Sequence, residues 1–346
     1  MSNYEHYLGN PLLKKSNVPV NWTKENILEY QKCMENPIYF IKNYIKIVSL
    51  DEGLVPFEMY DFQEDIVDTI HNDRFTICKM PRQSGKSTTM VSYILHYVLF
   101  NDNMNVAILA NKAATARDIL GRLQLAYENL PKWLQQGVVS WNKGSVDLEN
   151  GSRVVASSTS SSAFVPTNVA EDFFSSVYPT ISSGKSTKVI IVSTPNGMNL
   201  FYKLWVDAEN KRNSYNIIDV HWSQVPGRDE KWRTETIANT SEEQFRREFD
   251  CEFLGSSNTL IAAAKIKTMA FHNPIKSNAG LDVYENPKEK HTYTLIADVS
   301  RGTNNDYSAF IVFDVTTVPY KIVAKYRNNQ IKPLLFPNII HEVATA

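Results

Sequence analysis

The sequence predicts an α/β fold: a parallel sheet with helices on both faces, followed by a smaller strand-rich region. Three observations predict it. Short apolar β-type runs alternate with helical patterns from residue 57 to 220, which is how a parallel sheet reads in sequence. A Gly85-Lys86-Ser87 loop stands between one such strand and one such helix. After Gly255-Ser256-Ser257, three strand candidates follow one another with no helical pattern between them.

Residues 1–22 are polar, carry Pro11 and Pro19, and read as a loose arm. A helix is expected over 24–34. Residues 36–47 place Ile38, Phe40, Ile41, Tyr44 and Ile45 at helical spacing. Residues 74–80 form a β-type run, 87–100 an apolar helix and 105–110 a second strand. Residues 112–130 gather Ala116, Ile119, Leu120 and Leu123 on one helix face. Residues 145–158 read as a hairpin turning at Asn150-Gly151. The β-branched run 188–193 is a strand ending at Thr194-Pro195-Asn196-Gly197, followed by a helix over 198–208 and a strand over 215–220. Residues 169–177 are helix-like and carry Glu171-Asp172. Ser241-Glu242-Glu243-Gln244 opens a helix over 241–249 as a capping box. Residues 272–291 read as a loop, and strands are expected over 292–299, 307–315 and 320–326.

Composition narrows the function classes. Hydrophobic residues at 43% allow a packed core, and net charge of −1 excludes a generic basic coat for nucleic acid. Nucleic-acid contact would have to use local clusters. Arg228, Lys231, Arg233, Arg246 and Arg247 form one, but they alternate with acids and read as a salt-bridged surface helix. No apolar run approaches the roughly 18 residues of a membrane span. The first ten residues lack an apolar signal core, so secretion is not expected. Cys33, Cys78 and Cys251 are scattered without C-x-x-C spacing, which argues against a disulfide framework or a zinc site and for a reducing compartment.

Ser-Gly-Lys-Ser-Thr occurs twice, at 84–88 and 183–187. A phosphate loop needs a strand before it and a helix after it, so that backbone N–H groups and the helix N-terminus face the anion. Only the first copy has that context. Lys185 precedes a strand and reads as a solvated turn. The first loop runs Met80-Pro81-Arg82-Gln83-Ser84-Gly85-Lys86-Ser87, with Met80 where a glycine is usual and Arg82 as a second cation. Upstream, Phe57, Tyr60 and Phe62 precede Gln63, whose amide can both donate to and accept from an adenine edge. Thr194 has two readings at this point. One is a polar group at the ligand-binding end of a parallel strand; the other is a simple strand-ending turn.

Gln63, the loop from Arg82 to Ser87, and Val192-Ser193-Thr194-Pro195-Asn196-Gly197 together resemble the large terminase of tailed bacteriophages, nearest the T-even-type branch. Gln244-Phe245-Arg246-Arg247-Glu248 and the pair Asp298 and Asp306 extend the resemblance to nearly the whole chain. It implies a P-loop NTPase fold of the RecA/ASCE kind and a partial ribonuclease H-like nuclease domain. The implied domains are an N-terminal arm and helix (1–35), the ATPase (36–255), a linker (256–291) and an incomplete nuclease (292–346). The implied activity is ATP-driven movement of viral double-stranded DNA into a procapsid, with endonuclease cutting of the concatemer. The implied cofactors are ATP and Mg²⁺. Gln63, Arg82, Gln83, Ser84, Gly85, Lys86, Ser87 and Thr88 would bind nucleotide, with Arg82 and Lys86 on the β/γ-phosphates. Ser87, Asp298 and Asp306 would hold metal. Arg82, Lys86, Thr194 and Asp298 would be catalytic, Thr194 through the motif that couples hydrolysis to motion. Implied partners are a portal protein, a small terminase subunit and further copies in a ring on the portal, with no membrane. The implied location is the host cytoplasm and, transiently, the procapsid portal, rather than the mature virion.

Two departures from the family pattern stand out. The family has a strand ending in two adjacent acids after the Ser-rich segment; here 157–163 runs straight into Phe164-Val165-Pro166, and Glu171-Asp172 read as a solvated helix face. In the nuclease region Arg301 stands where some relatives carry an acid, Asp298 also reads as a strand-end turn former, and the chain stops at Ala346 before the later acidic motifs. Two alternatives accompany the packaging motor: a P-loop helicase or translocase, and an impaired terminase copy that binds nucleotide.

Overall fold

The computed structural model describes residues 5–49, 51–158, 183–184, 186–195, 197, 199–253, 272–303 and 306–345. The chain divides into two compact units, Met1–Ala264 and Lys265–Ala346. The boundary expected at Gly255-Ser256-Ser257 and the helix-like stretch bearing Glu171-Asp172 both lie outside the described residues.

The first unit begins with two capped helices, α1 (Lys24–Glu35) and α2 (Pro37–Tyr44). Thr23 Oγ1 accepts from the Asn26 N–H at 3.1 Å and Asn36 Oδ1 from the Tyr39 N–H at 2.9 Å. Each satisfies a donor that a helix start leaves open. A hairpin of β1 (Lys46–Ser49) and β2 (Gly53–Pro56) follows. Then come α3 (Asp61–Asn72), β3 (Phe75–Lys79), α4 (Lys86–Phe100), β4 (Asn105–Ala110) and α5 (Ala113–Glu128). Strands β5 (Val138–Trp141), β6 (Ser145–Leu148) and β7 (Arg153–Ser158) form an antiparallel run with the expected turn at Asn150-Gly151. The unit continues through β8 (Val189–Ser193), α6 (Leu200–Glu209), β9 (Asn216–Asp219), α7 (Glu230–Asn239) and α8 (Glu242–Glu248).

Strands β8, β3 and β9 form a parallel sheet in that order, and β4, β7, β6 and β5 form a second sheet in which β4 and β7 are parallel. Alternation along the first sheet covers both faces with helices, because successive strand side chains point oppositely. Cys78, Ile190 and Val192 join the larger core with Ile66, Val67 and Ile70 of α3. Ile77, Val189 and Ile191 join a second core with Phe201 and Trp205 of α6. The helix-covered parallel sheet expected from the sequence is the observed one.

The arm expected to be loose is stitched down. Lys15 bridges Val138 in parallel, and the Lys14 N–H donates to Gln135 Oε1 at 3.0 Å. Glu149 accepts from the N–H groups of Gly137 and Asn17 at 2.6 and 2.9 Å, and Leu13 is buried. Polar composition hid this because the polar groups bond to residues more than a hundred positions away.

The second unit is a five-stranded antiparallel sheet. Its strands are β10 (Lys276–Asn278), β11 (Leu281–Val283), β12 (Tyr293–Asp298), β13 (Ser308–Asp314) and β14 (Lys321–Asn328), ordered β10-β11-β14-β13-β12. Helix α9 (Phe336–Thr345) follows, and Phe336, Ile339, Ile340 and Val343 pack with Phe310, Val323 and Tyr326. The segment 272–291, expected as a loop, thus contains the β10–β11 hairpin. Its Asn, Pro and Lys content masked two three-residue strands, and one of them lies on the sheet edge where polar side chains are tolerated.

Candidate functional site

The sharpest local feature sits where β3 gives way to α4. The loop between them turns through two left-handed residues, Gln83 (φ 55°) and Gly85 (φ 75°). Glycine is required at 85 for a second reason: a Cβ there would strike Gln63 Nε2. The loop is braced from inside. Ser84 is fully buried and its hydroxyl donates to the Pro81 carbonyl at 2.9 Å. Gln63 is 1% exposed; its Nε2 donates to the Ser84 carbonyl at 3.1 Å and its Oε1 accepts from the Tyr60 N–H at 3.0 Å.

With its carbonyls so engaged, the loop turns its donors to one side. Among the described residues, the backbone N–H groups from Gln83 to Thr88 have no hydrogen-bond partner. Six consecutive open N–H groups at a helix N-terminus make an anion nest. Lys86 stands at its centre. Its Nζ donates to Thr194 Oγ1 at 3.0 Å and to the Pro81 carbonyl at 3.3 Å. Burial depresses the Lys86 pKa, with the neighbouring Arg82 and Arg228 adding to the fall and Cys251 and Glu248 opposing it. A half-desolvated ammonium with only neutral partners is poised to gain from an arriving anion.

Strand β8 ends against this loop. The Met80 N–H donates to the Ser193 carbonyl at 3.0 Å, and Thr194 Oγ1 donates to the Met80 carbonyl at 2.9 Å. Of the two readings of Thr194, the ligand-end one fits its contact with Lys86. Arg82 lies at the outer lip, ion-paired with Glu248, while its N–H donates to the Glu248 carbonyl at 2.9 Å. Ser87 and Thr88 lie in the first turn of α4. The Ser87 hydroxyl makes no described hydrogen bond and fits an oxygen ligand for a hard cation such as Mg²⁺.

Beside α3 opens a cleft of about 390 Å³ lined by Met59, Tyr60, Phe62, Gln224 and Pro226. Gln63 is expected from sequence at an adenine edge. Helix α3 instead turns its amide under the loop, where both described partners are backbone groups.

Two residues of the site were not found from sequence. Glu248 stands out in sequence only as part of its motif. Arg228, expected on a salt-bridged helix face, precedes α7, and its Nη2 donates to the carbonyls of Arg82 and Gln83, both at 3.0 Å. The other members of that cluster do pair locally, Arg233 with Glu230 and Glu242, and Arg246 with Glu252. No sequence signal distinguishes Arg228, because its partners are some 145 positions away.

Asp298 and Asp306 are both exposed, on either side of a turn. The Asp306 carboxylate accepts from the Tyr307 N–H at 2.9 Å. Among the described residues no three His, Cys, Asp or Glu side chains gather closely enough to hold a metal.

The comparisons agree on one family. The family model described as "Terminase large subunit, T4likevirus-type, N-terminal" matches residues 77–268. The large terminase subunits of Thermus phage G20c and Thermus virus P23-45 are each 28% identical over 171 residues, covering 45% of this chain and 33% of the relative. The chain thus spans about a third of the length of these curated relatives. The crystal structure of the HK97 bacteriophage large terminase resembles it in fold, with a TM-score of 0.54 at 15% identity, covering 84% of this chain and 67% of that one. With the nucleotide-type loop, the strand that meets it and more than half of the chain inside the match, the protein belongs to the terminase large subunit family of the T4-like type.

Proposed function

We propose that this protein is the ATP-binding motor subunit for moving viral double-stranded DNA into a procapsid. The observation that carries the reading is the open nest from Gln83 to Thr88 with the Lys86 ammonium set between it and Thr194. Triphosphate lies along the nest, with Lys86 on the β/γ-phosphates and Arg82 at the lip. The base lies against the cleft of Tyr60, Phe62, Gln224 and Pro226, one turn from Gln63. Ser87 would hold Mg²⁺, which would neutralise phosphate charge when bound. Thr194, bonded to both Lys86 and the Met80 carbonyl, is the position at which a change in the phosphates reaches β8. The domains are the ATPase over 36–255, a linker over 256–291 and part of a ribonuclease H-like nuclease over 292–346, with 1–35 leading in. Partners are the portal protein, a small terminase subunit and further copies in a ring, in the host cytoplasm and at the portal. Among the described residues no helix is long and apolar enough to cross a membrane.

Calorimetric titration with Mg²⁺ and a non-hydrolysable ATP analogue tests the reading. One site with a Kd in the micromolar range is expected, and no heat of binding would sink it.

Two-metal cutting needs several converging carboxylates, and Asp298 with Asp306 supplies too few. Residues 1–346 are therefore expected not to nick plasmid DNA with Mg²⁺. Robust cutting that Asp298→Ala abolishes would show that the two acids suffice.

A further inference from the structure

We infer that Arg228 is a positioning residue for the phosphate loop: it sets the direction of the Gln83 and Ser84 N–H groups and so determines how tightly the nest holds phosphate. The inference rests on the nucleotide reading and extends it to a side chain outside the loop. Nη2 of Arg228 donates to the carbonyls of Arg82 and Gln83, both at 3.0 Å. A peptide unit is planar and trans, so its N–H points opposite its C=O. Holding the Arg82 carbonyl turns the Gln83 N–H away from Arg228; holding the Gln83 carbonyl does the same for Ser84. Both N–H groups belong to the open series. The turn also needs holding, because Gln83 has a left-handed φ of 55° that a non-glycine residue adopts at a cost.

The guanidinium is itself held. Its centre lies 4.8 Å from the Trp232 ring and 5.5 Å from Phe249. Trp222, Trp232, Phe245 and Phe249 form an edge-and-face cluster beneath it. Its Nη1 is buried with no hydrogen-bond partner. A packing role alone does not account for an arginine with a buried, unpaired donor. A planar fork on an aromatic platform does account for two neighbouring carbonyls being bonded at once.

The test compares Arg228→Ala, Arg228→Lys and the surface control Arg212→Ala, whose partner is Asp207. The readouts are Kd for a fluorescent ATP analogue with Mg²⁺, and thermal midpoint. Arg228→Ala is expected to bind about 10- to 100-fold more weakly, the range for losing charge-assisted bonds. Arg228→Lys, with a point charge in place of the fork, falls between. Guanidinium chloride at a sub-denaturing concentration should restore binding to Arg228→Ala and leave the wild type unchanged. Wild-type affinity in Arg228→Ala overturns the inference. So does weakened binding that follows the thermal midpoint down and is not rescued, because that marks a merely structural arginine. If the wild type itself does not bind the analogue, the nucleotide reading fails first, and the two failures are told apart by that arm alone.

Discussion

Two stretches of this terminase spell Ser-Gly-Lys-Ser-Thr, and they lie at opposite ends of the same pair of strands. β3 and β8 run in parallel register from Phe75↔Val189 to Lys79↔Ser193. The first copy follows Lys79, and the second precedes Val189. Beyond Lys79 the chain enters the N-terminus of α4, where open N–H groups gather and the helix dipole favours an anion. Before Val189 it passes the C-terminus of α3, where carbonyls gather. There Lys188 Nζ donates to the carbonyls of His71 and Asp73, both at 2.8 Å, and Arg74 donates to the carbonyls of Gly184 and Thr187. The first copy turns open N–H groups outward, whereas the described Gly184 and Thr187 of the second accept from Arg74. The loop's chemistry comes from the sign of the helix end it joins, and the residue string alone does not carry it.

The largest effect that sharpens this comparison concerns turnover. In the proposed reading the first copy supplies the groups that hold phosphate, but hydrolysis also needs a carboxylate to orient water. The described acids around the loop are committed: Glu248 to Arg82 and Arg247, Asp219 to Lys79, Asp250 to the Trp222 indole. Because the sequence shows no strand ending in two adjacent acids after 157–163, steady-state phosphate release is expected to run about 10²- to 10⁴-fold below that of a relative that has one. Inserting a strand ending in Asp-Glu after Ala163 should raise it. Rapid release that survives Glu171→Gln with Asp172→Asn would show that another residue supplies the acid.

The next effect applies one substitution to both copies. Gly85→Ala puts a Cβ into Gln63 at a left-handed φ. It should cost about 1–3 kcal/mol in stability and weaken ATP binding with it. Gly184→Ala places its Cβ against the Thr187 side chain, the nearest described group, at a φ that is not left-handed, so its cost should stay below about 1 kcal/mol with affinity unchanged. Denaturant titration and binding on both variants check this, and equal losses would erase the distinction.

A smaller effect separates structure from function at the far end. Arg74→Ala removes the donor to Gly184 and Thr187. A loss of about 1–2 kcal/mol is expected with no change in ATP affinity. A tenfold loss of affinity in a fully folded Arg74→Ala protein would contradict the division between the two ends.

What could be read from the sequence follows the range of the interactions. The strand, loop and helix around Lys86 were legible because their signals are contiguous, as was the cap Ser241, which bonds three residues ahead. The grip of Arg228 and Glu248 on the loop was not, since those contacts cross more than 140 positions and resemble an ordinary charged surface until folded. The arm was illegible for the same reason, its partners being Gln135, Val138 and Glu149. Gln63 was expected at an adenine edge, and only the fold shows that α3 turns its amide inward beneath Ser84.

The central claim is that only the first copy binds phosphate, and paired titrations of Lys86→Ala and Lys185→Ala with an ATP analogue and Mg²⁺ test it most directly. Lys86→Ala removes the ammonium bonded to Thr194 and should weaken binding about 10- to 100-fold, the range for a charge-assisted contact. Lys185→Ala should bind as the wild type does. Equal weakening by the two substitutions, or a larger loss from Lys185→Ala, would contradict the account.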